Sequence, residues 1–263
     1  MASRVWRGMT SAANLPALLL GGWACRGFDD YAAQERLERG LVILLPGIEG
    51  RSVLETNVAR GLIDGGVQAA IEVQDWTSGW WVLMPWHLCA YDRNRRMAAR
   101  IASRIEEYRS SFPGRPVHLI GHSGGAGMAL FVLEALPDDV RVSSVILLAA
   151  AVSSRYSLSA ALEHTNEGIW NFHSVLDGPL LGLASLVAGT MDRRRAVAAG
   201  ALGFDTEFMS QAQQLSAGRL HQVPFTGRMC LSGNLGGHFG CMNRLFAEEW
   251  LAPIVTRGAL PSA

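Results

Sequence analysis

Apolar segments of strand length limit what this chain can fold into: the continuous run Leu41-Val42-Ile43-Leu44-Leu45, the segment Val117-His118-Leu119-Ile120, and the largely apolar Ser144 to Ala151. An unbroken apolar run of strand length has no polar face to turn to water. Such strands belong in a parallel sheet covered on both sides. Helical patterns lie between the runs. Ser52 to Gly61 reads as a helix closed by Gly65-Gly66, and Asp92 to Arg109 places Met97, Ile101, Ile105 and Tyr108 on one stripe before Pro113-Gly114. Ala126 to Leu136 reads as a third helix, and Arg244 to Trp250 starts a closing one. Gln68–Val73, Val117–Ile120, a weaker Ile169–Val175 and Met229–Ser232 complete the expected strands. Strands alternating with helices imply right-handed crossovers and a mostly parallel sheet flanked by helices on both faces.

The 263 residues, 49% of them apolar, suit one domain, expected over residues 40–255. Formal net charge is zero, so no global field draws the chain to nucleic acid or an anionic surface. All 23 basic residues are arginine, which excludes a lysine base, a Schiff base and a phosphate-loop lysine. The four cysteines, Cys25, Cys89, Cys230 and Cys241, lack paired spacing and the seven histidines are dispersed. Neither a metal site nor a cofactor is expected. Cys230 and Cys241 are near enough in sequence to pair, but free thiols are the preferred reading.

Residues 1–39 form a separate N-terminal segment with two readings. Arg4 and Arg7 precede Leu15 to Leu20 and then Gly21-Gly22-Trp23-Ala24-Cys25, which sketches an export or lipoprotein signal. Asn14, Pro16 and Trp23 interrupt that pattern and favour an arm packed on a cytoplasmic domain. No stretch reaches the ~18 apolar residues of a spanning helix.

The chemistry is concentrated in Gly121-His122-Ser123-Gly124-Gly125, a G-x-S-x-G placed between a strand and a helix. A tight strand-to-helix turn there lifts the Ser123 hydroxyl above the sheet edge, and side chains at positions 121 or 125 would collide with backbone. It also aims the N-terminal N–H groups of the helix, Gly124 among them, at a developing oxyanion. The alternative is a tight turn whose serine only caps the helix. With this motif in this order the chain resembles the α/β-hydrolase superfamily, in its esterase, lipase and thioesterase branch, over about residues 40 to 255.

The resemblance implies an oxyanion donor in Pro46-Gly47-Ile48-Glu49-Gly50, the backbone N–H of Ile48, with proline where many members have histidine. It implies a base after the last strand, and His238 in Asn234-Leu235-Gly236-Gly237-His238 fits. His221 precedes the expected strand at 229–232, and His122 should point away from the hydroxyl. His118 reads as a core residue; His87, His164 and His173 have no motif around them. The acid implied is Asp177, with turn formation before Gly178-Pro179 as the plainer role and Asp205, Glu207, Asp192 and Asp75 as alternatives.

The short span from Ser123 to Asp177 leaves no room for a large cap before the acid. The longer one to His238 suggests a small roof over about 179–222, joined by an aromatic loop with Trp76, Trp80 and Trp81 as pocket residues. The tryptophans could equally pack on the body of the domain. Arg193-Arg194-Arg195 reads as a solvated face. The implied activity is hydrolysis of a small ester or thioester with an apolar acyl or aryl part. An acyltransferase using the same triad and a non-catalytic binding protein are the alternatives.

Overall fold

In a computed structural model the described residues are 29–178, 189–206 and 217–261, with Arg4, Trp6, Gly8, Met9 and Ser185. Parts of the expected roof, 179–184, 186–188 and 207–216, and the signal-like stretch 10–28 lie outside them.

Six parallel strands, β1 Leu41–Leu45, β2 Ala70–Val73, β3 Val117–His122, β4 Val142–Leu148, β5 Thr165–His173 and β6 Leu220–Pro224, form one sheet in the order β2-β1-β3-β4-β5-β6. This is an α/β architecture, with the chain reversing direction of growth after β2. The central strands serve two cores at once. Leu41, Ile43 and Leu45 enter one apolar cluster with Leu119, Val145 and Leu147. Val42 and Leu44 enter the other with Ile120, Ile146 and Leu148. Successive strand side chains point to opposite faces, so a run with no polar member fits only where both faces are covered. Each such side chain contributes about 1.5–3 kcal/mol when fully buried.

Helix α1 (Val53–Asp64) covers one face, and α2 (Tyr91–Ser111) and α3 (Gly124–Leu133) the other. A capping box starts α1: the Leu54 N–H donates to Ser52 Oγ (3.2 Å), and the Ser52 N–H donates to Glu55 Oε2 (2.7 Å). A closing helical run (Arg244–Phe246, Ala247–Leu251, Ala252–Arg257) crosses α1 at Gly61, where a Cβ would lie 2.1 Å from the Arg244 carbonyl oxygen. Arg244 pairs with Asp64 across this contact at 2.6 Å. Arg4 binds Glu249 on the same run at 2.5 and 2.8 Å, and Asn243 donates to the Gly8 carbonyl.

One expected strand is absent. Residues 227–232 form a 3-10 helix that buries Met229 while Cys230 and Leu231 face water. The last strand is β6, an edge strand in which only Val223 is buried and which ends at Pro224. His221 therefore lies within that strand, stacked on Trp170 at 4.4 Å. Cys230 and Cys241 are not joined. Among the described residues no helix is long and apolar enough to cross a membrane.

Candidate active site

Strand β3 runs into the turn at Ser123, which has φ 53° and ψ −116°, a conformation that favours glycine. Two backbone bonds from the end of β4 hold it there. The Ser123 N–H donates to the Leu148 carbonyl (2.9 Å), and the Ser123 carbonyl accepts from Ala151 N–H (3.1 Å). The flanking glycines are required by contact. A Cβ at Gly121 would meet the Gly125 oxygen at 2.3 Å, and one at Gly125 would meet the Leu45 oxygen at 2.1 Å. The turn thus fits tightly against the end of β1, and α3 starts at Gly124, directly after the serine.

Three side chains from three distant segments meet in line. The His238 Nε2 lies 3.0 Å from Ser123 Oγ, and its Nδ1 lies 2.7 Å from Asp177 Oδ2. A carboxylate can only accept, so Nδ1 carries the hydrogen and Nε2 faces the serine hydroxyl with a lone pair. Asp177 sits in a 3-10 turn, Val175–Asp177, capped by Ser174 Oγ, and is buried. Its Oδ1 has no hydrogen-bond partner among the described residues. The other carboxylates proposed from sequence are committed elsewhere. Asp192 Oδ1 accepts from Ser153 N–H and Thr190 Oγ, Asp205 pairs with Arg155, and Asp75 binds Arg51 N–H and Thr77. Glu207 lies outside the described residues.

The His238 loop is shaped by glycines in the left-handed region, Gly233 and Gly236, and by Asn234, whose Oδ1 accepts from Gly236 N–H (2.9 Å). Buried Cys241 sends its thiol toward the His238 carbonyl at 3.6 Å. Burial and then the Asp177 charge push that thiol up to about 12, which keeps it protonated at neutral pH.

The Pro46–Gly50 loop faces the elbow. A Cβ at Gly124 would meet the Ile48 Cγ2 at 2.8 Å and the Trp76 ring at 3.1 Å. The Ile48 N–H has no acceptor among the described residues, and the Gly124 N–H, in the first turn of α3, has none within its helix. Trp76 and His87 hold this loop from beneath. Trp76 Nε1 donates to the Pro46 carbonyl (2.7 Å). His87 Nε2 accepts from Ser78 N–H (3.1 Å), which leaves Nδ1 to donate to the Ile48 carbonyl (2.8 Å). Burial lowers the His87 pKa and favours that neutral form.

Trp76 is therefore a core side chain with no surface to offer a substrate, a correction to its expected place in the pocket. Trp80 is exposed beside it in sequence, and the side chain of Trp81 lies outside what is described. Arg193 is an exposed cation over the Tyr91 ring, paired with Asp92. A cleft of about 270 Å³ adjoins the histidine, lined by Leu54, Asn57, Leu235, His238, Phe239 and Met242. Val175 and Leu176 stand exposed just before Asp177, and Leu235 stands exposed three residues before His238.

Sequence reasoning gave no role to Glu49 or His87, and placed His122 away from the site. His122 does turn from the hydroxyl, but it lies under His238 and donates from Nε2 to the His238 carbonyl (3.0 Å). The available signal was position: Glu49 follows Ile48 in the loop after β1, and His122 precedes Ser123 at the end of β3. Among the described residues no group of three or more His, Cys, Asp or Glu is placed to hold a metal ion.

No family model matches the chain, and no curated protein matches it. Among solved structures it is similar to LpqC, a poly(3-hydroxybutyrate) depolymerase from Bordetella parapertussis, at 14% identity and a TM-score of 0.48 over 86% of this chain and 83% of that one. It is also similar to esterase PE8, at 15% identity and a TM-score of 0.43 over 72% and 84%. A third is a thioesterase domain from the curacin biosynthetic pathway, at 15% and 0.39 over 83% and 91%.

Proposed function

We propose that this protein is a serine hydrolase that cleaves carboxylic esters or thioesters through an acyl-enzyme. The observation that supports it above the others is the unbroken hydrogen-bond chain from Asp177 through His238 to Ser123, at 2.7 and 3.0 Å. A binding protein has no use for a hydroxyl, an imidazole and a buried carboxylate in line on a strained turn.

In the reaction Ser123 Oγ attacks the acyl carbon as its proton passes to His238 Nε2. Asp177 holds the imidazole by its Nδ1–H and stabilises the imidazolium. The Ile48 and Gly124 N–H groups donate to the oxyanion. Collapse of the tetrahedral intermediate breaks the bond to the alcohol or thiol, which takes the proton back from Nε2. Water then enters, gives a proton to His238 and its oxygen to the acyl carbon, and Ser123 leaves reprotonated. The apolar walls at Leu54, Leu235, Phe239 and Met242 suit an apolar acyl or aryl part.

The test is kcat/KM on p-nitrophenyl esters of increasing acyl length beside acyl-thioesters, for the wild type and for Ser123→Ala. The expected result is turnover that rises with apolar length and disappears in the variant. Wild-type protein that is folded and turns over no member of either series contradicts the proposal.

A further inference from the structure

Beneath the hydroxyl and the imidazole lies a second pair of ionisable side chains that the reaction above does not use. His122 Nδ1 faces Glu49 Oε1 at 3.6 Å, and both side chains are largely or wholly removed from solvent. That separation is too long for a hydrogen bond, and neither atom has another partner among the described residues. The opposite edge of the ring is engaged, with Nε2 donating to the His238 carbonyl at 3.0 Å. A carbonyl only accepts, so Nε2 bears a hydrogen in every state of the ring. The state of Nδ1 then decides the contact with Glu49. A bare Nδ1 would set a lone pair against a carboxylate oxygen, whereas a protonated one makes an imidazolium beside its counter-ion. Burying one charge without the other costs several kcal/mol, so the two charges come together.

We propose that Glu49 and His122 form a buried ion pair that positions His238, with the charged ring donating to the histidine's own carbonyl. The pair joins the three segments that the reaction needs in register. Glu49 is the neighbour of Ile48, His122 is the neighbour of Ser123, and the acceptor is the backbone of the base. The rings of His122 and His238 lie 4.9 Å apart, so a shift of one is felt by the other. The proposal rests on the serine-hydrolase reading for its consequence and on geometry for the pair itself.

The groups facing His122 are consistent with its charge. Among the described residues they are Glu49 from the loop after β1, Glu55 from α1, and His238 from its own loop; the Phe239 ring lies at 5.8 Å. Burial opposes the charged ring, but Glu49 outweighs it and raises the His122 pKa. Burial likewise opposes the Glu49 charge, and His122 outweighs that, leaving the carboxyl below its ordinary range.

Two measurements test the pair. In ¹⁵N spectra of histidine-labelled wild type at pH 7.5, the ring of His122 should appear as an imidazolium, and it should become neutral in Glu49→Gln. The rate of labelling of Ser123 by a fluorophosphonate should fall about tenfold to a hundredfold in His122→Leu, the effect of displacing a reacting group by about 1 Å. It should recover only in part in His122→Gln, whose amide can donate to the same carbonyl but carries no charge to pair with Glu49. A neutral ring in the wild type, or His122→Leu labelled within twofold of wild type, overturns the proposal. If His122→Leu does not fold, Glu49→Gln carries the kinetic arm: slower labelling supports the pair and an unchanged rate overturns it. A wild type that takes no label at Ser123 defeats the hydrolase reading, while the spectra still decide the pair.

Discussion

Replacing Ser123 by glycine should leave the protein more stable than replacing it by alanine, the reverse of the usual order. Both variants lose the hydroxyl and its contact with His238 Nε2. They differ in what the backbone at φ 53° and ψ −116° costs, because two bonds to the end of β4 hold either variant in that conformation. A side chain in so sparsely populated a region costs about 1–3 kcal/mol, which glycine does not incur. Against this, the unfolded glycine chain has more freedom to lose, by about 0.5–1 kcal/mol. The difference favours glycine by about 1 kcal/mol, or about 2–4 °C in Tm for a chain of this size. Urea unfolding of the two variants, followed by far-ultraviolet circular dichroism, reads it directly. An alanine variant as stable as the glycine variant, or more so, would show that the turn stores no strain and that the reasoning about the elbow is wrong.

Asp177→Asn keeps the shape of the acid but can present an amide to Nδ1, which favours the wrong tautomer of His238; kcat on the best ester should fall by about 10⁴-fold with little change in Tm. A loss of tenfold or less would remove Asp177 from the triad. Gly125→Ala sets a methyl group 2.1 Å from one backbone oxygen and 2.4 Å from another, and should destabilise the protein by about 3 kcal/mol in urea melts. A fall below about 0.5 kcal/mol would mean that the loop after β1 can retreat. Burial holds His118 down to about 4 in the folded state, with its Nδ1 on Ser144 Oγ at 2.7 Å. The fold needs this base uncharged, so stability is intact above pH 6.5 and falls as pH drops toward 4, by up to about 3 kcal/mol. The double variant His118→Leu, Ser144→Ala should lose that slope, and an unchanged slope would place the acid-sensitive group elsewhere.

The parts of the fold legible in the sequence were those that one physical constraint determines. β1 is buried on both faces and so reads as a continuous apolar run, β3 and β4 show as apolar-rich segments, and the elbow shows because two glycines are forced by backbone contacts at 2.1 and 2.3 Å. β6 escaped notice because an edge strand has no such need. Leu220-His221-Gln222-Val223-Pro224 pairs with one partner strand and buries only Val223, so it carries no apolar run. Met229-Cys230-Leu231 misled for the opposite reason, since a 3-10 helix needs only Met229 inside. The Glu49–His122 contact left no local pattern, because its members belong to different strand ends and meet only when β1 and β3 pair. His87 braces the Ile48 carbonyl from a helix that a stretch rich in tryptophan obscured.

Reaction of the purified protein with a fluorophosphonate, read by intact mass and then by peptide mapping, bears most directly on the serine chemistry. One adduct per chain, located on Ser123, absent in Ser123→Ala and strongly slowed in His238→Ala, is the predicted result. A folded wild type that stays unmodified, or an adduct on any other residue, would contradict it.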